Sequence, residues 1–337
     1  MENYRMKNKI RVLLCGVIFG QVYLKGVLNN SDYQLCGILS TGSEYSRKIA
    51  AKYHVSLYTK IDEVSSDNFD LALVVIRSGI VGGEGNKVTQ QLLNKGISVI
   101  QEQPVHSEEA IENYKIALKN NIFYKVNTFY PYLPISRVFH DELHKLKLKT
   151  EIYSINGSCS MPVILPFLAQ VGEILGGISP YYLDYEHCFK TSIQNYVCGT
   201  IKGIQFMFRI QSQMNSDSIN KYSYTLNEFS VMTGIGNLKM TEVNGQIIWV
   251  SKPYVVEEYL RNGDENDARN INGTELLYDA SGKKYSDLYN NIWPEAVNNF
   301  LALNKENIVD KKCDVVDMQY YIVLCRLWKD ISNCING

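Results

Sequence analysis

The chain has no cysteine pair in CxxC spacing, no run near the ~20 apolar residues that cross a bilayer, and no surplus of one charge. Its 34 Lys+Arg stand against 35 Asp+Glu, a net charge of −1. That balance removes the basic footprint that nucleic-acid backbones and anionic membranes require. The missing apolar run excludes a bilayer-spanning helix. The eight cysteines, Cys15, Cys36, Cys159, Cys188, Cys198, Cys313, Cys325 and Cys334, are scattered. Without paired spacing they read as small buried hydrophobes in a reducing compartment, not as zinc ligands or disulfides. The opening MENYRMKNKI lacks the apolar core of a signal peptide, so a cytoplasmic location is expected. Asn156-Gly-Ser and Asn272-Gly-Thr then read as turn sequences, not glycosylation sites.

What is present suits a folded enzyme. At 337 residues, 45% hydrophobic and 20% charged, the chain has material for two domains with sizeable cores. Over 1–128, short β-branched runs alternate with amphipathic segments, the βαβ rhythm of a parallel sheet. Strands are expected at Ile10 to Cys15, Tyr33 to Ser40, Leu71 to Ile76, Ser98 to Gln101 and Phe123 to Asn127, with helices at Gly20 to Leu28, Ser43 to Tyr53, Lys87 to Lys95 and Ser107 to Asn120. This is an α/β Rossmann-type domain. After Tyr130-Pro131-Tyr132-Leu133-Pro134 the rhythm stops and strands dominate: Thr150 to Ser160, Ile204 to Gln211, Phe229 to Thr233, Leu238 to Val243 and Gln246 to Val250. Asn244-Gly245 signals a two-residue hairpin with both turn positions at φ > 0. Residues 129–337 are therefore expected to form an α+β domain on a mainly antiparallel sheet for substrate binding and dimerisation. It would include helices near Val163 to Leu175, Tyr285 to Leu303 and Asp314 to Ile331. No internal repeat or low-complexity tract interrupts either half.

The first strand turns into the first helix through Gly16-Val-Ile-Phe19-Gly20. Glycine there lets backbone amides approach a pyrophosphate drawn to the helix N-terminus. The spacing is GxxFG instead of GxGxxG, and two glycines in such a bend also serve packing. The second strand ends Leu39-Ser40-Thr41-Gly42-Ser43, with Arg47 one turn later. No carboxylate ends that strand to bind a ribose 2′-hydroxyl or repel a 2′-phosphate, whereas hydroxyls, helix amides and a guanidinium can contact the phosphate; this favours NADPH/NADP over NAD. The alternative is that Arg47 only solvates an exposed helix face. Arg77-Ser78 and the glycine cluster Gly82-Gly83-Glu-Gly85 follow the Leu71 to Ile76 strand, where ligands of open α/β sheets gather.

Three segments together carry a resemblance: the GxxFG turn, the Arg77 to Gly85 loop, and Val99-Ile-Gln-Glu102-Gln103-Pro104-Val-His106 followed by Asn127-Thr-Phe-Tyr130-Pro131. They resemble the thiazolinyl imine reductases of siderophore biosynthesis, a branch similar in fold to the glucose-fructose oxidoreductase and inositol dehydrogenase family. The resemblance covers the first domain and the junction after it. It implies NADPH-dependent reduction of a thiazoline C=N bond to a thiazolidine, on an intermediate held by phosphopantetheine on a peptide-synthetase carrier domain, by a homodimer. It places Glu102, Gln103 and Pro104 beside the cofactor. The wider family usually has a lysine where Gln103 stands, and the imine reductases tend to have a histidine.

Reducing an imine requires a proton donor within ~3 Å of the nitrogen, and an amide cannot supply a proton. Tyr130 is the first candidate: a phenol of pKa ~10 keeps its proton at neutral pH and can give it to a strongly basic nitrogen. Otherwise a tyrosine before a proline packs at a domain junction. His106 is the second candidate, unless it only faces solvent at the start of a helix. A sugar or cyclitol dehydrogenase, or a silent NADP-binding sensor, are the alternatives; loss of the lysine weakens the first and keeps the second open. His140 and His144 have metal-like i, i+4 spacing, but Lys145, Lys147 and Lys149 oppose a cation and a solvated helix face is expected. Tyr222, Tyr224, Trp249 and Trp293 are expected in cores, not in an aromatic cleft.

Overall fold

A computed structural model describes residues 9–76, 83–213, 223–253 and 273–336. The densest Val, Leu and Ile runs form a parallel sheet covered on both faces, as continuous apolar strands require. Its six strands are β1 (Ile10–Cys15), β2 (Tyr33–Leu39), β3 (Ser56–Tyr58), β4 (Leu71–Val74), β5 (Ser98–Glu102) and β6 (Tyr124–Asn127), in the order β3-β2-β1-β4-β5-β6. Leu13, Leu14, Leu71, Leu73, Val99 and Ile100 are wholly buried. Helices α1 (Gly20–Leu28), α2 (Glu44–Lys52), α3 (Glu84–Asn94) and α4 (Ser107–Lys119) connect the strands. The strand order reverses between β1 and β4, so their carboxyl ends form the topological switch point where open α/β sheets bind ligands. The helix expected from Lys87 begins at Glu84, because Gly83 is its N-cap and Gly85 is already buried inside it. Those glycines look like loop signals in the sequence.

The first compact unit comprises Met1–Pro134 and Lys284–Arg326; the second comprises Ile135–Lys283 and Leu327–Gly337. This corrects the expectation that everything after residue 128 forms one domain. Helix α7 (Trp293–Val309), preceded by a short turn at Tyr285–Asp287 and a π-helical segment at Leu288–Ile292, packs on α1. The contact is close: a Cβ on Gly26 would lie 2.7 Å from the Val297 side chain. Tyr33 donates to the Leu301 carbonyl at 2.9 Å, and the Asn30 amide donates to Asn298 at 2.6 Å. The first part of α8 (Val315–Asn336) belongs to the same unit, where Lys125 pairs with Asp317. The buried Cys313 thiol accepts from the Tyr124 N–H at 3.3 Å and donates to the Ile122 carbonyl at 3.2 Å.

The second unit begins with α5, which spans Pro134–Lys147; a proline at the first helical position costs no hydrogen bond, although in sequence Pro134 looks like a breaker. Its sheet contains β7 (Ile152–Ser160), β8 (Tyr181–Leu183), β9 (Phe189–Lys190), β10 (Gln194–Ile201), β11 (Ile204–Gln211), β12 (Asn227–Thr233), β13 (Gly236–Met240), β14 (Gln246–Ser251) and β15 (Thr274–Asp279). The order is β15-β14-β13-β12-β7-β11-β10-β8, with β9 paired to β10. Only β7 and β11 run parallel among the described residues. Helix α6 (Ile164–Leu175) sets Phe167 over Gly157, with its ring 4.8 Å from both Phe208 and Phe229. The mainly antiparallel sheet agrees with the sequence.

Two local expectations fail. Neither Asn244 nor Gly245 has φ > 0; the turn is a longer loop in which Gly245 donates to the Glu242 carbonyl at 3.0 Å. It is shaped by the Glu242 carboxylate, which accepts from the Leu226, Asn227 and Val243 amides, while Val243 is wholly buried. Of the eight free cysteines, only Cys15, Cys159, Cys313 and Cys325 are buried.

Replacing Gly26 or Gly157 by Ala should each destabilise the protein by about 1–3 kcal/mol in urea unfolding, because a Cβ would overlap Val297 or Phe167 at 2.7 Å. Alanine is the better helix former by about 1 kcal/mol, so a more stable Gly26→Ala protein would contradict the packing of α7 on α1.

Candidate active site

At the carboxyl end of β1 the chain bends through Gly16, at φ +91°, whose N–H donates to the Leu39 carbonyl at 3.0 Å. A Cβ there would lie 2.5 Å from the Val75 carbonyl oxygen, so the bend requires glycine. The next four amides, of Val17, Ile18, Phe19 and Gly20, donate to no acceptor among the described residues, and Phe19 gives α1 no side-chain cap. Such a helix start attracts an anion. A Cβ on Gly20 would meet only Leu14, at an ordinary 3.5 Å. Packing among the neighbours therefore does not call for that glycine. The Phe19 ring lies 5.7 Å from Phe129 and 6.0 Å from Trp293, anchoring the turn in an aromatic cluster.

Beside this bend, β2 ends in a second turn. Gly42, at φ +77°, donates to Ser40 Oγ at 3.3 Å; the Ser43 hydroxyl caps α2 by accepting from the Ser46 N–H at 3.2 Å. Both serine hydroxyls therefore already have partners in the turn, while Thr41 is exposed. Arg47, one turn into α2, is exposed and pairs with no carboxylate among the described residues. A carboxylate does stand close by: Glu44, directly after Ser43, opens α2. Its carboxylate is matched by Lys48 at 2.7 Å. Arg77 and Ser78 lie outside the described residues, as does Tyr222.

The carboxyl ends of β5 and β6 carry a buried polar network. The Tyr23 hydroxyl of α1 donates to Glu102, and the Gln103 side chain also hydrogen-bonds that carboxylate. Asn127 donates to Tyr23 Oη at 2.7 Å and accepts from the Phe129 N–H at 2.9 Å. Burial pushes the Glu102 carboxyl up to about 8, against the opposing pull of the hydrogen bonds from Tyr23 and Gln103. Glu102 as a residue keeps some exposed surface, but its carboxyl is desolvated and no cation is among the groups shifting it. Gln103 Oε1 is buried and unpartnered among the described residues.

The Gln103–Pro104 bond is cis. Beyond it, the Val105 N–H donates to Tyr321 Oη at 3.2 Å, and that hydroxyl donates to the Val105 carbonyl at 2.8 Å. His106 follows as the N-cap residue of α4, half-buried, with its carbonyl accepting from Ala110 at 2.9 Å.

Tyr130 is buried and opens a 3₁₀ turn, Tyr130–Tyr132, three residues beyond β6. The residue before it, Phe129, has φ 63° and ψ −62°, and the Tyr130 N–H donates to the Thr128 carbonyl at 2.8 Å. This is a γ-turn of the rare positive-φ type, costing about 1–3 kcal/mol for a non-glycine residue. The structure thus brings Gly16, Phe19 and Gly20 together with Phe129, and links Glu102 to the Tyr130 turn through Tyr23 and Asn127. Asn127 opens a motif visible in the sequence, but Tyr23 does not stand out there. The spacing of Tyr23 from Gly20 along a helix was the only signal, among 24 tyrosines.

Other candidates fall away. His140 is half-buried, not solvated; burial, then Lys147 and Arg137, lower its imidazole to about 4, while His144 is exposed. No metal-ligand cluster occurs among the described residues. Trp293 is half-buried in the Phe19 cluster and Trp249 is half-buried over Gly236, but Tyr224 is 76% exposed and so not a core residue. No described helix is long and apolar enough to cross a membrane.

Residues 10–128 match the Gfo/Idh/MocA family model, described as "Oxidoreductase family, NAD-binding Rossmann fold". The match covers the first domain, whose fold is that of the NAD-binding Rossmann domain which this model describes. No curated protein is similar enough in sequence to count as a match. Among solved structures, the chain is similar in fold to a dehydrogenase from Clostridium difficile, at 12% identity and TM-score 0.69, covering 97% of this chain and 100% of that one. A 3-ketoreductase from Actinomadura kijaniata in complex with NADP and TDP-benzene superposes with TM-score 0.69 at 11% identity, covering 97% and 98%. An oxidoreductase from Agrobacterium radiobacter in complex with NAD+, L-tartaric acid and magnesium gives 0.69 at 9% identity, covering 96% and 95%.

The raised Glu102 pKa sets a pH dependence of stability. The titratable group facing it is Tyr23 of α1; Gln103 and Asn127 are neutral. Below 4.5 the carboxyl is protonated folded and unfolded, and its contribution is fully present; it is lost as pH rises through about 8. The melting temperature of Glu102→Gln relative to wild type should therefore climb between those pH values and then level. A difference that stays constant with pH would show that the carboxyl is not desolvated.

Proposed function

We propose that the protein is an NADPH-dependent imine reductase that converts a thiazoline C=N bond to a thiazolidine. The observation that carries the reading is Gln103. In the Glu102-Gln103-Pro104 segment, at the carboxyl edge of the dinucleotide-binding sheet, stands an amide that hydrogen-bonds Glu102 and has a buried oxygen. Oxidising an alcohol needs a base there to take the hydroxyl proton, and an amide is no base. Reducing an imine needs no such base, only a donor of one proton. The sugar or cyclitol dehydrogenase reading is weakened accordingly.

The residues present fit a bound dinucleotide. The amides of Val17 to Gly20, which have no acceptor among the described residues, suit its pyrophosphate, and Thr41, Gly42 and Arg47 suit a 2′-phosphate. Structures of this fold hold NADP in the Actinomadura kijaniata ketoreductase and NAD+ in the Agrobacterium radiobacter oxidoreductase, so the preference for NADPH rests on the β2 turn and Arg47. When bound, NADPH supplies the hydride that the imine carbon accepts. The chain supplies the proton: Tyr130 gives it to the imine nitrogen as the bond is reduced, and His106 is the second candidate. The substrate is a thiazoline-containing siderophore intermediate tethered through phosphopantetheine to a peptide-synthetase carrier domain. The protein acts in the cytoplasm as a homodimer.

NADPH oxidation with a synthetic thiazoline tests the reading. Turnover supports it, turnover only with a polyol and NADP⁺ selects a dehydrogenase, and cofactor binding without turnover selects a sensor. With the thiazoline, Tyr130→Phe should lower kcat by about 10²–10⁴-fold, and an unchanged kcat moves the proton to His106 or to water. Arg47→Ala should weaken NADPH by about 1.5–3 kcal/mol, the range for a charge-assisted bond, while NADH binding barely changes. Equal losses for both coenzymes would remove the NADP assignment.

A further inference from the structure

The turn that carries Tyr130 is strained, and one buried chain of hydrogen bonds ends on it. Phe129 holds φ 63°, ψ −62°, and its N–H donates to Asn127 Oδ1 at 2.9 Å. With its oxygen so committed, the Asn127 amide directs its NH2 group to Tyr23 Oη at 2.7 Å. The Tyr23 oxygen is then an acceptor, and its own hydrogen goes to Glu102. Every link therefore has one direction, and each direction fixes the next. Tyr23 is 1% exposed and Asn127 is wholly buried, so water does not replace either partner.

We propose that Tyr23, Asn127 and Glu102 are positioning residues for Tyr130: the chain from Glu102 to the Phe129 N–H holds the positive-φ turn and so places the phenol. This deepens the reading of Tyr130 as proton donor and rests on it. Removing the Tyr23 hydroxyl leaves the Asn127 NH2 group without its acceptor in a buried site. The amide then turns toward other partners, the Phe129 N–H loses its acceptor, and the γ-turn relaxes to an unstrained conformation. None of these residues gives up a proton in the reaction. Their effect is on where the Tyr130 hydroxyl stands.

Tyr23→Phe keeps the ring and its packing, so it is the primary variant. With NADPH and a synthetic thiazoline, its kcat should fall about 10²-fold, the cost of misplacing a reacting group by about 1 Å, while KM for NADPH stays within about twofold. A second readout does not depend on turnover: amide hydrogen exchange of the segment 128–133, followed by mass spectrometry. Exchange there should accelerate in Tyr23→Phe and in Glu102→Leu, but stay slow in Glu102→Gln, which still offers the Tyr23 hydroxyl an acceptor. Asn127→Asp keeps the acceptor for Phe129 but not the donor to Tyr23, and should also exchange faster. Wild-type kcat and wild-type exchange in Tyr23→Phe would overturn the proposal, as would equal exchange in Glu102→Gln and Glu102→Leu. If the wild-type protein does not reduce the thiazoline, the imine reductase reading fails on that result alone. The exchange data then still decide whether the chain holds the turn.

Discussion

A carboxyl group taken out of water, with no cation beside it among the described residues, organises the centre of this domain. Glu102 ends β5, and burial alone would make its charged form costly. What makes the arrangement tolerable is a set of donors: the Tyr23 hydroxyl and the Gln103 amide. The Tyr23 oxygen in turn accepts from the Asn127 amide, whose own oxygen accepts from the Phe129 N–H. The need to satisfy one buried acid therefore ties a helix, two strand ends and a strained turn into one network.

The network lies beside the glycine bend. Phe19 follows Gly16 and packs against Phe129, while Tyr23 is one turn farther along α1. The glycine bend, whose amides have no acceptor among the described residues, and the residue before Tyr130 thus share one aromatic cluster. From behind, Tyr321 satisfies both backbone groups of Val105, which fixes the strand end after Pro104. A rigid surround of this kind is what a reaction needs when its hydride and proton must arrive at adjacent atoms, because small displacements cost large factors in rate.

Local signals in the sequence were sufficient where a strand is continuous and apolar or a helix follows directly on a glycine bend. β1, α1 and β11 lie where the residue pattern puts them, and the order of elements over 10–127 is that of an alternating α/β sheet. Signals that serve two purposes were misread. Gly83 and Gly85 look like a loop yet start α3, Pro134 looks like a stop yet opens α5, and Asn244-Gly245 looks like a tight hairpin yet belongs to a longer loop shaped by the Glu242 carboxylate. In each case a contact distant in sequence, or the freedom of a helix first turn, decided against the local preference.

The amino-acid sequence by itself determined the Rossmann rhythm, the glycine bend, the absence of an acid at the end of β2 and the amide at position 103. These are properties of neighbouring residues, set by periodicity, backbone freedom and side-chain chemistry. Only the tertiary structure decided that residues 284–326 return to the first unit, that Tyr23 meets Glu102, and that Phe129 is held at positive φ before Tyr130. Tyr23 and Glu102 are 79 positions apart, and no pattern within either segment encodes the other. Their meeting follows from packing α1 on the sheet, which buries an acid and brings a phenol to it as a donor beside the Gln103 amide.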